Sequence, residues 1–344
     1  MPTSRTEPTI DFGIYIKTFR PDHYLAKVLI ASIRHYLPDV DITIVPDDGY
    51  RRATLWGEKV LTLDGPFFSS LRGFYKKLWV FFGHYERFIY LDADMLALRP
   101  LQPLMDRVVA AKEPFFIANG GKSTLECFSN GTIDARRAKL AEGVGDPDLL
   151  KAFDPDYALD PLIPFNSGLF ATHRGIFPLD EVRNTFCAAQ QFHRVRGLPP
   201  LATSRQGVFM GDQGFINYLA YRNGRRPELL PDVFLWGGKS MREYRKIQNR
   251  GPAGPCQHLF VHWAGCPRPT LLHRRVPAGD AWIKHYFEYY RKYGSLATLF
   301  RDSATNVTSD LWRGARRLGS RWRTRPRQRN RSTDVGLSGC EARS

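Results

Sequence analysis

No stretch of this 344-residue chain approaches the ~20 consecutive apolar residues that a membrane-spanning helix requires. The opening residues, Met1 to Thr9, are polar and lack the apolar core of a signal peptide, so the expected location is the cytoplasm. Cysteine is scarce: Cys127, Cys187, Cys256, Cys266 and Cys340 are odd in number and scattered, which argues against a disulfide framework and fits reduced thiols. No internal repeat is present. Ile14 to Arg20 lacks the glycine-rich phosphate loop with which a sugar nucleotidyltransferase usually opens. Acid is missing altogether between Trp312 and Arg331, a stretch with nine arginines, so the net charge of +16 is partly a property of the C-terminus.

What remains is an ordinary soluble composition, 43% hydrophobic and 24% charged, in a chain long enough for a sizeable core. Asp11 to Phe19 reads as a buried strand. Leu25, Val28, Leu29, Ser32, Ile33 and Tyr36 then fall on one helical stripe that ends near Pro38. Val40 to Val45 alternates as a second strand and stops at the turn signature Pro46-Asp47-Asp48-Gly49. Strand, helix and strand in so short a span form a βαβ unit, and hence an α/β fold with a mainly parallel sheet flanked by helices. Further strands are expected at 59–63, 88–91, 114–119, 165–172 and 258–264, and helices at 69–84, 180–192 and 212–221. Residues 120–162 are polar and resist assignment, reading as an insertion or lid. The expected organisation is one catalytic domain over 10–300 and a basic tail over 301–344.

The apolar run Phe88 to Leu91 ends in Asp92 and Asp94. Residues i and i+2 of a strand share a face, so both carboxylates are expected to converge at a strand's C-terminal end, where open α/β sheets place ligands. Two hard oxygen donors suit Mn²⁺ or Mg²⁺ carrying a diphosphate; two turn aspartates are the bland alternative. Asn166-Ser167-Gly168 offers an amide for a sugar hydroxyl and a glycine for close backbone approach, or is a plain turn. Gly211-Asp212-Gln213-Gly214 sets a carboxylate beside an amide at a helix start, where an N-cap is the rival reading. In His262 to Pro269, His262 is a candidate Mn²⁺ ligand, Gly265 can bring backbone N–H groups to phosphate, and Arg268 can neutralise it. Cys256, His258, His262 and Cys266 form a rival zinc set with an unusual spacing. Leu311, Ala315, Leu318 and Trp322 make an apolar stripe opposite arginines. That pattern fits an interfacial helix on anionic lipid, with a nucleic-acid arm or a solvated tail as rivals.

Taken in order, these motifs resemble the retaining glycosyltransferases of family 8, which include glycogenin and bacterial lipopolysaccharide galactosyl- and glucosyltransferases. The resemblance spans roughly residues 12–270: Lys76 through Asp94, Asn166 to Gly168, Gly211 to Asn217, and His262 with Gly265 and Arg268-Pro269. It implies a GT-A fold, a nucleotide-diphospho-sugar donor (a UDP-sugar is expected) and Mn²⁺ (or Mg²⁺) as cofactor. By that similarity Asp92, Asp94 and His262 hold the metal; Lys76, Gly265 and Arg268 face the diphosphate or donor sugar; and Asn166, Asp212 and Gln213 contact the sugar as the catalytic set. The implied partners are a glycan or lipid-linked acceptor such as lipopolysaccharide and an anionic membrane surface reached through the tail, which makes the enzyme peripheral to the cytoplasmic face; no nucleic acid is expected. Arg268 stands where the family usually has Lys, and Phe209 where it often has Asp. Ile16 to Pro21 and Val45 to Gly49 look closer to the inverting family 2 enzymes, in which such segments hold the base; Thr18, Arg20 and Asp47 are the candidates here.

Overall fold

Strand β1 (Ile10–Lys17) is an interior strand of the sheet because its alternate side chains are apolar on both sides: Ile14 and Ile16 face one core, Tyr15 the other. Helix α1 (His23–Tyr36) follows and buries the expected stripe. Leu25, Val28, Leu29 and Ile33 are fully covered, each contributing roughly 1.5–3 kcal/mol. Strand β2 (Ile42–Val45) then pairs parallel to β1, completing the βαβ unit. The computed structural model describes residues 10–19, 23–48, 58–119, 131–157, 164–201, 207–230, 233–236, 242, 245, 258–264, 268–271, 276–294, 297–304 and 308.

The remaining strands are β3 (Lys59–Val60), β4 (Tyr85–Asp92), β5 (Met95–Ala97), β6 (Phe115–Asn119), β7 (Phe165–His173), β8 (Glu228–Leu230), β9 (Phe234–Trp236) and β10 (Phe260–His262). A seven-stranded sheet runs β3-β2-β1-β4-β7-β6-β8 and a smaller one β5-β10-β9. In the large sheet only β7 runs antiparallel to its neighbours, β4 and β6. The architecture is therefore mixed α/β with a mainly parallel sheet, as the sequence implied.

Between residues 66 and 82 the chain departs from the expected single helix. A short α2 (Pro66–Ser70) ends, and a 3₁₀-helix covers Gly73–Phe82. Gly73, at φ 55°, sits in a left-handed conformation that breaks the run. Side chains three apart then eclipse one another, and Tyr75 through Phe81 are buried without a break. The other helices are α3 (Gln102–Ala110), α4 (Ile133–Gly143), α5 (Pro147–Phe153), α6 (Leu179–Val195), α7 (Gly211–Arg222) and α8 (Gly279–Tyr293). Residues 131–157, unassigned from sequence, hold α4 and α5; Leu140, Val144, Leu150 and Tyr157 there join the core beneath α7 and the 3₁₀-helix. Helix α8 covers α1 with Trp282, Tyr286, Tyr289 and Tyr290. Residues 297–304 are helical as well, and Asp302 bonds both the Lys27 ammonium and, at 2.6 Å, the Tyr290 hydroxyl. Among the described residues no helix is long and apolar enough to cross a membrane.

Candidate active site

The two aspartates converge by a different route from simple strand alternation. Strand β4 ends at Asp92, whose side follows Phe88 and Tyr90 toward one core. The chain bends at Ala93-Asp94 and enters the second sheet at Met95. There β5 pairs antiparallel with β10, putting His262 opposite Met95, while the Trp263 N–H donates to the Asp94 carbonyl at 3.0 Å. The sheet switch thus brings in a histidine from far along the chain. His262 Nε2 stands 3.3 Å from Asp94 Oδ1 with its side chain 1% exposed. One ligand atom each from Asp92, Asp94 and His262 lie within 4.8 Å of one another. Two carboxylates and an imidazole match the donor preferences of Mn²⁺, and Mg²⁺ is served by the two carboxylates.

Gly168 makes this approach possible. A Cβ there would lie 2.7 Å from His262 Cε1, 2.7 Å from Asn166 Oδ1 and 3.0 Å from Met95 Cε. Any side chain would displace the imidazole, so glycine is a packing requirement of the cluster. Asn166 Oδ1 in turn accepts from the Gly168 N–H at 2.7 Å. The motif lies within β7 at an irregularity, where pairing with β6 shifts between Ile117 and Ala118; such bulges re-aim side chains.

A second cluster adjoins the first. The ammonium of Lys77, 3% exposed, is 2.6 Å from Asp212 Oδ2 and 3.3 Å from Asp92 Oδ1. It also donates to the Ser167 hydroxyl and carbonyl at 3.0 Å each, and Ser167 donates to Asp212 at 3.1 Å. The Tyr90 hydroxyl donates to Asp92 at 2.5 Å. Burial alone would lower the Lys77 pKa; Asp212 and Asp92 more than reverse this and raise it. Burial pushes Asp92 up, with Lys77 opposing and Asp94 and Asp212 reinforcing. Asp94 ends low instead, because His262 and the Arg268 guanidinium, 3.1 Å from its Oδ2, outweigh its burial.

The other candidates are placed as follows. Lys76 pairs with Asp48 at 2.9 Å and lies over the Trp79 ring, so the lysine between the aspartates is its neighbour Lys77. A helix was expected over 69–84, and the segment is a 3₁₀-helix from Gly73. Gln213 donates to the Gly143 carbonyl at 3.0 Å. Thr18 is buried and donates to the Phe19 carbonyl at 3.3 Å. Asp47 faces His23 Nε2 at 4.0 Å. Arg20 and Gly265 lie outside the described residues, as do Cys256 and Cys266 of the rival zinc set and the tail stripe from 311 onward. Sequence reasoning missed Lys77, Ser167 and Tyr90. The Lys76-Lys77 pair was the available signal for the first.

No protein-family model matches the chain, and no curated protein matches its sequence. Solved structures that it resembles are glycosyltransferases. One is the apo structure of the bifunctional WbbM, at 14% identity and TM-score 0.49, covering 84% of this chain and 53% of that one. Another is the galactosyltransferase LgtC in complex with donor and acceptor sugar analogs, at 14% identity and TM-score 0.47, covering 85% and 99%. A third is the apo form of GlyE from Streptococcus pneumoniae TIGR4, at 12% identity and TM-score 0.48, covering 84% and 64%. This chain therefore spans about half the length of WbbM and just under two thirds of GlyE.

Proposed function

We propose that this protein is a metal-dependent glycosyltransferase of GT-A type that moves a sugar from a nucleotide-diphospho-sugar, a UDP-sugar in our reading, to a glycan or lipid-linked acceptor. The observation that carries the reading is the three-ligand cluster at the mouth of a mainly parallel sheet, with the Lys77–Asp212 pair beside it. Asp92, Asp94 and His262 would hold Mn²⁺, which when bound supplies Lewis-acid stabilisation of a leaving nucleoside diphosphate. Arg268, now on Asp94, has the charge and planar geometry to take a phosphate oxygen. Lys77 holds Asp212 in place at 2.6 Å, so that this carboxylate can orient the donor sugar and face positive charge at the anomeric carbon. Asp212 is already committed to an ammonium and a hydroxyl, which makes it a poor general base, and we therefore favour transfer with retention.

The test is a thermal-shift panel of UDP-, GDP- and other nucleotide-sugars with and without Mn²⁺. One donor is expected to raise the melting temperature by several degrees with metal and not without it, as saturation at about 100 times Kd contributes roughly 2.7 kcal/mol. If no donor produces a metal-dependent shift, the reading fails.

For the arginine-rich segment we propose contact with anionic lipid, supported by the stripe of Leu311, Ala315, Leu318 and Trp322 against arginine. A variant lacking residues 312–344 is expected to stay in the supernatant with phosphatidylserine vesicles that pellet the full chain, while still acting on a soluble acceptor. Pelleting of the shortened protein would refute this.

A further inference from the structure

We propose that Phe74 is the stacking platform for the nucleobase of the donor, with Phe19 as its buttress. This rests on the donor-binding reading above. Most residues of the 3₁₀-helix are buried, yet Phe74 is 46% exposed. Its ring packs edge-on against Phe19, with centroids 4.7 Å apart and planes at 62°. The ammonium of Lys17, itself 1% exposed, stands over the same Phe19 ring, 4.0 Å from its centroid. Phe19 is thus confined by two neighbours, and Phe74 presents the open aromatic surface.

Position ties this ring to the cation cluster. In a 3₁₀-helix residues three apart eclipse, so Phe74 lies in one row with Lys77, about 6 Å farther out at ~2 Å per residue. Lys77 marks the Asp92 end of that row. Strand β1 repeats the relation. Lys17, its last residue, is the register partner of Asp92, and Phe19 follows two residues later. Two elements therefore each carry an aromatic ring just beyond a lysine that neighbours Asp92, and the two rings touch.

The surrounding charge selects the occupant. Next to Phe74, Asp48 accepts from the Gly73 N–H at 3.0 Å and pairs with Lys76 at 2.9 Å and Arg72 at 3.9 Å. These contacts pin the start of the helix, so the platform is preformed. Flat apolar surface next to cations, leading toward two carboxylates and an imidazole, complements a planar base joined to a diphosphate. A neutral sugar ring would need the aromatic surface without the cations.

Isothermal titration of the full-length protein, with Mn²⁺ present throughout, separates the possibilities by comparing UDP and GDP with inorganic pyrophosphate. Phe74→Ala is expected to weaken the preferred nucleoside diphosphate about tenfold and to leave pyrophosphate unchanged, because stacking acts on the base alone. Phe74→Trp is expected to restore or tighten nucleotide binding. Equal loss of nucleotide and pyrophosphate affinity in F74A overturns the proposal. So does an unchanged nucleotide affinity, and if that comes with a raised KM for acceptor, the ring belongs to the acceptor. Wild-type protein that binds neither nucleotide nor pyrophosphate refutes the donor-binding reading itself, a result separable from an F74A that behaves like a competent wild type.

Discussion

Asp94→Asn is expected to lower Mn²⁺ affinity by about 100-fold or more and to abolish sugar transfer, while the melt without metal remains cooperative and falls by less than in the Lys77→Met variant, since only the charge facing His262 and Arg268 is lost. Loss of a residue that merely orients a metal ligand costs about 10–100-fold, so loss of a direct anionic donor falls at or beyond the top of that range. Asparagine keeps the size of the side chain and an oxygen that can still accept from Arg268, now 3.1 Å away. Its amide cannot supply the charge that His262 and Arg268 hold ionised in the wild type. Titration calorimetry with Mn²⁺, a turnover assay and a melt in chelator together separate a lost ligand from a lost fold. Normal turnover by this variant would remove Asp94 from the site.

The second large effect is expected at Lys77. Replacing it by Met leaves Asp92 and Asp212 facing each other across a buried space with no cation between them. Breaking a buried pair in this way costs about 3–5 kcal/mol, which for a chain of this size lowers the melting temperature by roughly 5–10 °C. Transfer should fall with it, because Asp212 loses the contact that holds it at 2.6 Å. The sign of the pH dependence follows from the raised pKa of Lys77. Its contribution is fully present at neutral pH and is lost only as pH climbs above the ordinary lysine range toward the higher folded value. Lys77→Met combined with Asp212→Asn should lose less stability than the two single changes added together, since each removes a charge that the other leaves stranded. A Lys77→Met protein as stable and as active as the wild type would show that the ion pair holds nothing in place.

Much of the fold was legible because its signals are local. The stripe of α1 and the alternation of β1 and β2 each occupy a few adjacent residues, and the elements formed where those patterns predicted. Helix α4 carried no such signal: only Leu140 and Gly143 are buried along it, too few to write an apolar stripe. The helix expected over 69–84 failed for another reason. A 3.6-residue and a 3.0-residue period are hard to tell apart in a continuously buried segment such as Tyr75 to Phe81.

By itself the amino-acid sequence determined the α/β class, the Asp-x-Asp at a strand end and the motif order that pointed to His262, because hydrophobic period and residue chemistry survive in one dimension. Tertiary structure alone decided that Asp92 and Asp94 meet through a change of sheet, that Gly168 clears room for the imidazole, and that Lys77 bridges Asp92 and Asp212. Apart from the two aspartates, these contacts join residues from 15 positions apart (Lys77 and Asp92) to 135 apart (Lys77 and Asp212), and strand register and helical pitch set them. Neither quantity is written in the residues that it brings together.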